Sequence, residues 1–215
     1  MGNYEYIIAS LPVLSREQEE GGADWDGTIA FIKSQCSPSD RMLVDQMLRG
    51  FDEKALGEAF YREAMGERRV SEDRFSPFKG DPQPPRNAFI RDWFTFDLLV
   101  RNEKVRFLNR SLGRSEDQDI FLEPEADFPE RDKVRQVLGL GDILQREKGL
   151  DELMWNKAAE LVLMHNFDVD VVLSFIARLH IIQRWRALDP ETGARLFRTL
   201  VEEVRGTFKG VDFKE

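Results

Sequence analysis

The stretch over residues 87–112 reads NAFIRDWFTFDLLVRNEKVRFLNRSL, and its pattern decides the fold class. Its apolar residues recur mainly on one side of a helix that turns every 3.6 residues, with charged residues between them. They are Ile90, Phe94, Leu98, Val105, Leu108 and Leu112. At 1.5 Å per residue, such a helix would be about 40 Å long, roughly the length of a small domain. We therefore predict one long helix over about residues 87–112 that spans the molecule or projects from it.

The segments on either side of this stretch favour further helices. We predict them over residues 26–34, 38–50, 52–65, 130–138, 142–165, 190–205, and from Asn166 or Asp168 to residue 187. The clearest start signals are Ser37 before Pro38 and Asp189 before Pro190, because each pair puts a capping residue ahead of proline at the first helical position. Residues 4–14 are short and apolar, so their pattern fits a helix or a strand. The sequence predicts an all-α fold.

A proline-rich segment divides the 215-residue chain. Residues 67–86 contain several charges, few aliphatic side chains and four prolines, namely Pro77, Pro82, Pro84 and Pro85. Prolines extend a linker and disfavour helix before them. We therefore predict an N-terminal helical lobe over residues 1–66, a linker over residues 67–86 and a C-terminal helical lobe over residues 87–215. The alternative is one compact domain that includes both lobes.

Composition limits the classes of partner and the location. Forty acidic against 31 basic residues give a formal net charge of -9, which argues against nucleic-acid binding and against docking on an anionic membrane. The longest apolar-rich stretch, residues 169–188, is broken by arginines and other polar side chains, so we expect no membrane span. The single Cys36 excludes an internal disulfide, and the N-terminus lacks the basic start of a signal peptide. We expect a cytoplasmic protein.

No motif in the sequence predicts catalysis or metal binding. The chain has only two histidines, His165 and His180, and one cysteine, which makes a transition-metal site unexpected. For both histidines a structural role is favoured over a proton or ligand contact. Asp168 and Asp170 at a helix start favour capping over binding of a metal–nucleotide complex. We predict no catalytic, cofactor-binding or metal-binding residue and no cofactor, with a carboxylate-based helical enzyme as an alternative.

Basic residues cluster in two places. One cluster lies around Trp185 and comprises Arg178, Arg184, Arg186 and, after the predicted helix-to-helix turn, Arg195 and Arg198. The other lines the end of the long helix and comprises Arg101, Lys104, Arg106, Arg110 and Arg114. On an acidic protein, such patches suit contact with an acidic partner, and ordinary pairing with neighbouring carboxylates is the alternative. We predict Arg178, Arg184, Trp185 and Arg186 as the candidate partner contact.

Three segments of the chain together resemble a known family. They are NYEYIIASLP at residues 3–12, the run over residues 91–102, and the run over residues 167–197 that contains LHIIQRW and LDPETG. They resemble a small bacterial family described as a domain of unknown function, whose members are encoded among the subunits of bacterial V/A-type ATPases. The most specific parts are the pattern Tyr-x-Tyr-x-x-Ala-Ser-Leu-Pro and the stretch Trp-x-x-Leu-Asp.

The resemblance implies a non-catalytic helical subunit analogous to the C (or d) subunit of these rotary machines, which connects the rotor shaft to the membrane ring. The implied partners are other V/A-type ATPase subunits, without nucleic acid and without direct membrane insertion. Such a complex can hold a cytoplasmic protein at the inner membrane. The connector subunit has three similar lobes, whereas this chain is shorter and shows no repeat. A helical adaptor or regulatory protein unrelated to ion transport is the alternative function.

Overall fold

The computed structural model describes residues 3–15, 24–66 and 85–187, together with Thr199. Over these residues, α helices are the only regular elements, which confirms the all-α prediction. In chain order they are α1 (Tyr4–Ser10), α2 (Trp25–Gln35), α3 (Pro38–Arg49), α4 (Glu58–Ala64), α5 (Ala88–Ser111), α6 (Arg131–Leu138), α7 (Ile143–Glu160) and α8 (Val169–Arg186). The short N-terminal segment, whose pattern fits helix or strand, is thus a helix. Among the described helices, none combines the length and the apolar character that crossing a bilayer requires.

Side-chain caps start six of the eight helices in the described residues. Ser37 Oγ accepts the backbone N–H of Asp40, and Pro38 is the first residue of α3, as predicted. Asp168, rather than Asn166, caps α8 by accepting two backbone N–H groups of its first turn. These side chains satisfy donors that the helix itself leaves free, so they determine where each helix begins.

Two helices are shorter than the sequence predicts. α4 begins at Glu58 instead of residue 52, because Asp52 Oδ1 accepts a backbone N–H two residues later and so starts a turn. α7 ends at Glu160, where the chain enters a series of turns, instead of at residue 165. Apart from Thr199, the helix predicted over residues 190–205, with Arg195 and Arg198 of the first basic cluster, lies outside the described residues.

The rest of the described chain packs around α5. Helices α4, α6, α7 and α8 all contact it, and its buried side chains face several directions instead of forming one stripe. A larger hydrophobic cluster includes Phe89, Ile90, Trp93, Phe94 and Leu98. A smaller cluster includes Phe96 and Val100 with Val134, Leu138 and Leu150. The predicted long helix is therefore present, and it joins the two clusters.

The larger cluster includes helices from both sides of the predicted linker. Helices α1 to α4 contribute side chains such as Ile7, Ile32, Met47 and Phe60, which pack with residues of α5 and α8. α8 is buried over most of its circumference, in agreement with the apolar side chains at most of its positions. The linker lies outside the described residues up to residue 84, and the boundaries of the two predicted lobes stay a prediction.

The acidic connector that follows α5 folds back along this helix. Asn109 Nδ2 donates to the backbone carbonyls of Glu116 and Gln118 at 3.0 and 2.7 Å, and Asn102 Nδ2 donates to the carbonyl of Leu122 at 2.9 Å. Both asparagines are buried, and these hydrogen bonds satisfy them. The connector therefore covers a polar side of α5 that hydrophobic periodicity alone would leave in water.

A buried carboxylate connects α5 to α6. Glu103 is fully buried, and three guanidinium groups lie against it, those of Arg106 at 3.2 Å, Arg131 at 3.4 Å and Arg135 at 2.8 Å. Burial of a carboxylate is tolerated only when the charge is paired and hydrogen-bonded. Because Arg131 and Arg135 belong to α6, this charge cluster positions α6 on α5.

We predict that Glu103→Gln lowers the free energy of unfolding by about 3 kcal/mol, because it breaks a buried ion pair. Urea denaturation followed by circular dichroism measures the effect. Glu125→Gln, at an exposed carboxylate, is the matched control and should change stability by less than about 0.5 kcal/mol. A Glu103→Gln protein as stable as the wild type would contradict the positioning role of this cluster.

We also predict that Gly50→Ala is destabilising by about 1–3 kcal/mol, because the core around Gly50 is already filled. A Cβ atom at this position would overlap the ring of Phe94 and lie 2.8 Å from Cζ of Phe60. Gly141, where an added Cβ would meet open space, provides the control Gly141→Ala. Equal thermal stability of the two variants would show that the core around residue 50 can rearrange freely.

Candidate functional site

A cleft opens between the turn after α3 and helices α5 and α8, and aromatic rings form its wall. His180 of α8 stacks on Phe51 with ring centroids 3.9 Å apart and planes only 4° from parallel. The Trp25 ring, at the start of α2, lies 5.9 Å from His180 and 6.4 Å from Phe51. We call these three rings the aromatic cluster. Stacking in this range adds to the effect of burial alone, so the cluster holds α2, the turn and α8 together.

His180 is neutral at pH 7. Burial lowers the pKa of its imidazole to about 4, the neighbouring Arg184 lowers the pKa further, and Asp97 opposes both effects. The ring therefore presents an uncharged aromatic face to the cleft. This packing agrees with the structural role that is favoured for His180 from the sequence.

The inner part of the cleft is small and its charges are balanced. Its volume is about 180 Å³. Three basic side chains and three carboxylates line it, namely Arg101, Lys104, Arg184, Glu53, Asp97 and Asp151. Most of these groups bind one another or their neighbours, so this part of the cleft has little free charge.

Asp97 illustrates this internal pairing. Its Oδ2 accepts the hydroxyl hydrogen of Tyr61 at 2.6 Å and the Nε–H of Arg101 at 2.8 Å. Burial, and then the charge of Asp97, raise the pKa of Tyr61 well above its usual range, so its hydroxyl stays protonated and keeps donating. Asp97 is thus held between two donors.

The outer part of the cleft is wider and acidic. It has a volume of about 800 Å³ and opens to solvent beside the aromatic cluster. The exposed carboxylates of Asp26, Asp52 and Glu53 line it, and Arg184 is its one basic lining residue among the described residues. Within the described part of the chain, none of these three carboxylates lies within ion-pair distance of a basic group, although the charge of Glu53 acts on Arg101. We call this part the outer cleft.

The structure brings the predicted contact residues Arg184 and Trp185 together on one carboxylate of α7. Arg184 pairs with Asp151 and also lies 3.5 Å from Glu147, and Trp185 Nε1 donates to Asp151 Oδ2 at 2.5 Å. Arg184 is therefore already neutralised within the protein. Only Arg184 of the four predicted contact residues lines the cleft.

The other two predicted contact residues lie apart. Arg178 is half-buried with its guanidinium 5.5 Å from the ring of Trp155, and desolvation lowers its pKa. Arg186 is half-buried about 200° around α8 from Arg184, at 3.6 residues per turn. The four residues therefore do not share one exposed face, and their role in partner binding stays a prediction.

Four of the five residues of the second basic cluster are also paired within the protein. Arg101 binds Asp97, and Arg106 contacts the three carboxylates of Glu103, Asp117 and Glu123. Lys104 and Arg110 have weaker partners at 3.8 and 3.6 Å. For these residues the alternative interpretation, ordinary pairing with neighbouring carboxylates, is the one that the structure shows.

The remaining polar residues discussed for the sequence have local roles. His165 Nδ1 lies 2.6 Å from Asp168 Oδ2, and this hydrogen bond raises the pKa of the imidazole. Asp168 caps α8, which confirms the capping prediction. Cys36 is buried, and burial raises the pKa of its thiol to about 11, so the thiol is protonated at pH 7.

Apart from His180 and Arg184, the residues that form the outer cleft are not singled out by the sequence analysis. Trp25, Phe51 and the nearby carboxylates lie in segments that read as ordinary helix or helix end. One local signal exists. Phe51 directly follows Gly50, where the predicted helix ends, and a large aromatic side chain just after a helix end commonly packs against another part of the fold. Their convergence with His180, far along the chain, depends on the fold.

We predict that His180 makes the protein less stable in acid. In the unfolded chain its pKa is about 6.5, and in the folded protein it is about 4, so its contribution to stability is complete above pH 6.5 and is lost as the pH falls towards 4. His180→Phe keeps an aromatic ring against Phe51 and removes this titration. The free energy of unfolding should therefore fall less between pH 7.5 and pH 4.5 (about three units, covering most of that window) in His180→Phe than in the wild type.

The matched control is His165→Asn. Because the pKa of His165 is raised, its contribution to stability is present below its unfolded pKa, and its removal should make the loss in acid steeper, not shallower. Urea denaturation at the two pH values measures both variants. An equal acid sensitivity of His180→Phe and the wild type would contradict the prediction.

Comparison with known families gives one match. Residues 121–207 match the model of a family described as "Protein of unknown function (DUF2764)". The matched residues include α6, α7 and α8 and the whole run over residues 167–197, whereas the resembling segments over residues 3–12 and 91–102 lie outside the match. No curated protein and no solved structure matches the chain. Over residues 121–207, the chain is thus similar to a domain of unknown function, which confirms the coarse form of the resemblance.

Proposed function

We propose that this protein is a non-catalytic subunit or accessory protein of a bacterial V/A-type ATPase, analogous to the helical C (or d) subunit that connects rotor shaft and membrane ring. Its place is then in the cytoplasm, held at the inner membrane by other subunits. The three resembling segments support the choice of complex. The structural observation that carries the interaction role is an exposed apolar surface at one end of α5.

This end surface comprises the exposed side chains Leu108, Leu112, Leu140, Ile143 and Leu144. Ile143 is 73% and Leu112 is 62% exposed, so apolar area faces water at both the end of α5 and the start of α7. The two helices run antiparallel, since Lys104 lies 3.8 Å from Glu147 and the Phe107 ring centroid lies 5.3 Å from Arg146 Cζ. This register brings the last turn of α5 beside the first turn of α7.

Such a surface fits a contact with another protein. Grouped apolar side chains at the surface of a folded domain commonly mark a binding site, because their exposure to water is unfavourable. The opposite part of α5 is anchored in both hydrophobic clusters. Force applied at the end surface would therefore pass into the packed core, as a mechanical connector requires.

A helical adaptor or regulatory protein unrelated to ion transport is the second candidate function. The end surface favours this role equally, because it indicates a protein partner without indicating which one. The two candidates differ in the partner that accompanies the protein in the cell.

We predict that tagged protein from its native host co-purifies with V/A-type ATPase subunits and that the double variant Leu112→Glu/Ile143→Glu loses them. Two carboxylates within an apolar interface should each cost more than about 1 kcal/mol, so recovery of the partner should fall at least about tenfold. Mass spectrometry of the purified material measures the recovery.

The matched control is Met164→Glu, which introduces a carboxylate at a 90% exposed apolar residue beyond the other end of α7. This variant should keep the partner, and circular dichroism should show that both proteins are folded. If the wild type brings down no ATPase subunit while other complexes stay intact, the ATPase assignment fails. If it brings down a different complex that only the double variant loses, the adaptor function is favoured.

A further inference from the structure

We propose that the outer cleft binds a basic segment of a partner protein, with an arginine side chain placed against the aromatic cluster and between the carboxylates of Asp26, Asp52 and Glu53. This contact surface is separate from the end surface and does not depend on the ATPase assignment. It also reverses the charge expected of a partner from the sequence, where basic patches suggested an acidic one.

The aromatic wall of the outer cleft is held in place before any partner arrives. The chain turns at Phe51, whose backbone N–H donates to the carbonyl of Leu48 at 3.1 Å. The ring of His180 then covers one face of Phe51. Trp25 follows directly on Asp24, the residue that caps α2. Because these positions are set by helix ends and by stacking, little conformational entropy remains to be lost when a ligand binds.

The charges of the outer cleft favour a cation. Three exposed carboxylates line it, whereas its basic lining residue, Arg184, is already paired with Asp151 and Glu147. A cation beside an aromatic face is attracted by the negative charge above the ring plane. Since His180 is neutral at pH 7, it adds aromatic surface without adding positive charge. Carboxylates and rings therefore attract the same kind of group.

Arginine fits this combination better than lysine. Its planar guanidinium can stack on a ring and at the same time donate two parallel hydrogen bonds to one carboxylate. The ammonium group of lysine is more strongly hydrated and makes neither the stacked nor the bidentate contact. Asp52 and Glu53 are adjacent in the chain and line the same cleft as Phe51, so both contacts are available to one guanidinium.

The shape of the cleft favours a side chain that projects from a peptide over a free small molecule. Enclosed small-molecule sites commonly have about 300–1,000 Å³ of buried space. The inner part has about 180 Å³, and the outer part, with about 800 Å³, is open to solvent along one side. An open groove leaves room for the backbone of a partner segment to lie outside while one side chain enters.

The test uses an acetylated and amidated hexapeptide, Ala-Arg-Arg-Ala-Arg-Ala, against the full chain. Two-dimensional NMR of ¹⁵N-labelled protein should show saturable binding and a shift of the indole N–H signal of Trp25. The variant Asp52→Asn/Glu53→Gln should weaken binding at least tenfold. Asn at position 52 keeps the side-chain oxygen that accepts the N–H of Lys54, and both residues are exposed, so this variant should fold.

The matched control is Asp127→Asn/Asp132→Asn, which removes the same two charges at exposed residues that do not line the cleft. It should change the affinity less than twofold. Equal losses in the two double variants would mean that only the overall negative charge attracts the peptide, and would overturn the proposal. The absence of saturable binding at millimolar peptide would also overturn it.

Two further ligands complete the design. A hexapeptide with lysine in place of arginine should bind more weakly, and equal or tighter binding would overturn the arginine assignment. Free arginine amide should bind much more weakly than the hexapeptide. Equal affinity of the two ligands would overturn the peptide partner and indicate that the cleft binds a small organic cation. Leu112→Glu/Ile143→Glu should leave hexapeptide binding unchanged, which separates this test from the test of the end surface.

Discussion

The burial of α5 between α4, α6, α7 and α8 is the constraint on which the rest of the structure depends. The aromatic side chains of its first half fill the larger cluster, and Phe96 and Val100 enter the smaller one. Farther along, Glu103 is buried and recruits arginines from α6. Leu108 in the last turn of the helix and Leu112 directly after it face water. One helix thus supports both the packed body and the exposed end surface.

Charge pairing within the fold determines which charges remain for a partner. The chain is acidic overall, and many basic residues in its described part are placed against its own carboxylates, as Arg184 is against Asp151 and Arg106 is against Glu103. What remains at the outer cleft is therefore negative. The apolar end surface and the acidic aromatic cleft differ in chemistry, so the two proposed contacts require different partner surfaces. Both surfaces lie on a framework of buried helices, which suits an interaction protein.

Much of the fold could be predicted from local patterns, and the candidate site could not. Ser37 before Pro38 marks the start of α3 because capping acts over only a few residues. Asp52 was expected inside a helix, but its side chain stabilises a turn, and the two possibilities differ by small energies that a pattern does not resolve. The stack of His180 on Phe51 joins residues far apart in the chain. No periodicity within one segment reports such a contact.

The sequence by itself determined the helical class, the long central helix, several helix starts and the acidic character of the chain. These properties follow from residue type and from spacing over a few turns. Only the tertiary structure decided which arginines are neutralised, which apolar residues of α5 remain exposed, and where three distant aromatic rings meet. Those properties depend on how helices are placed against one another, because burial and ion pairing are set by neighbours in space and not by neighbours in the chain.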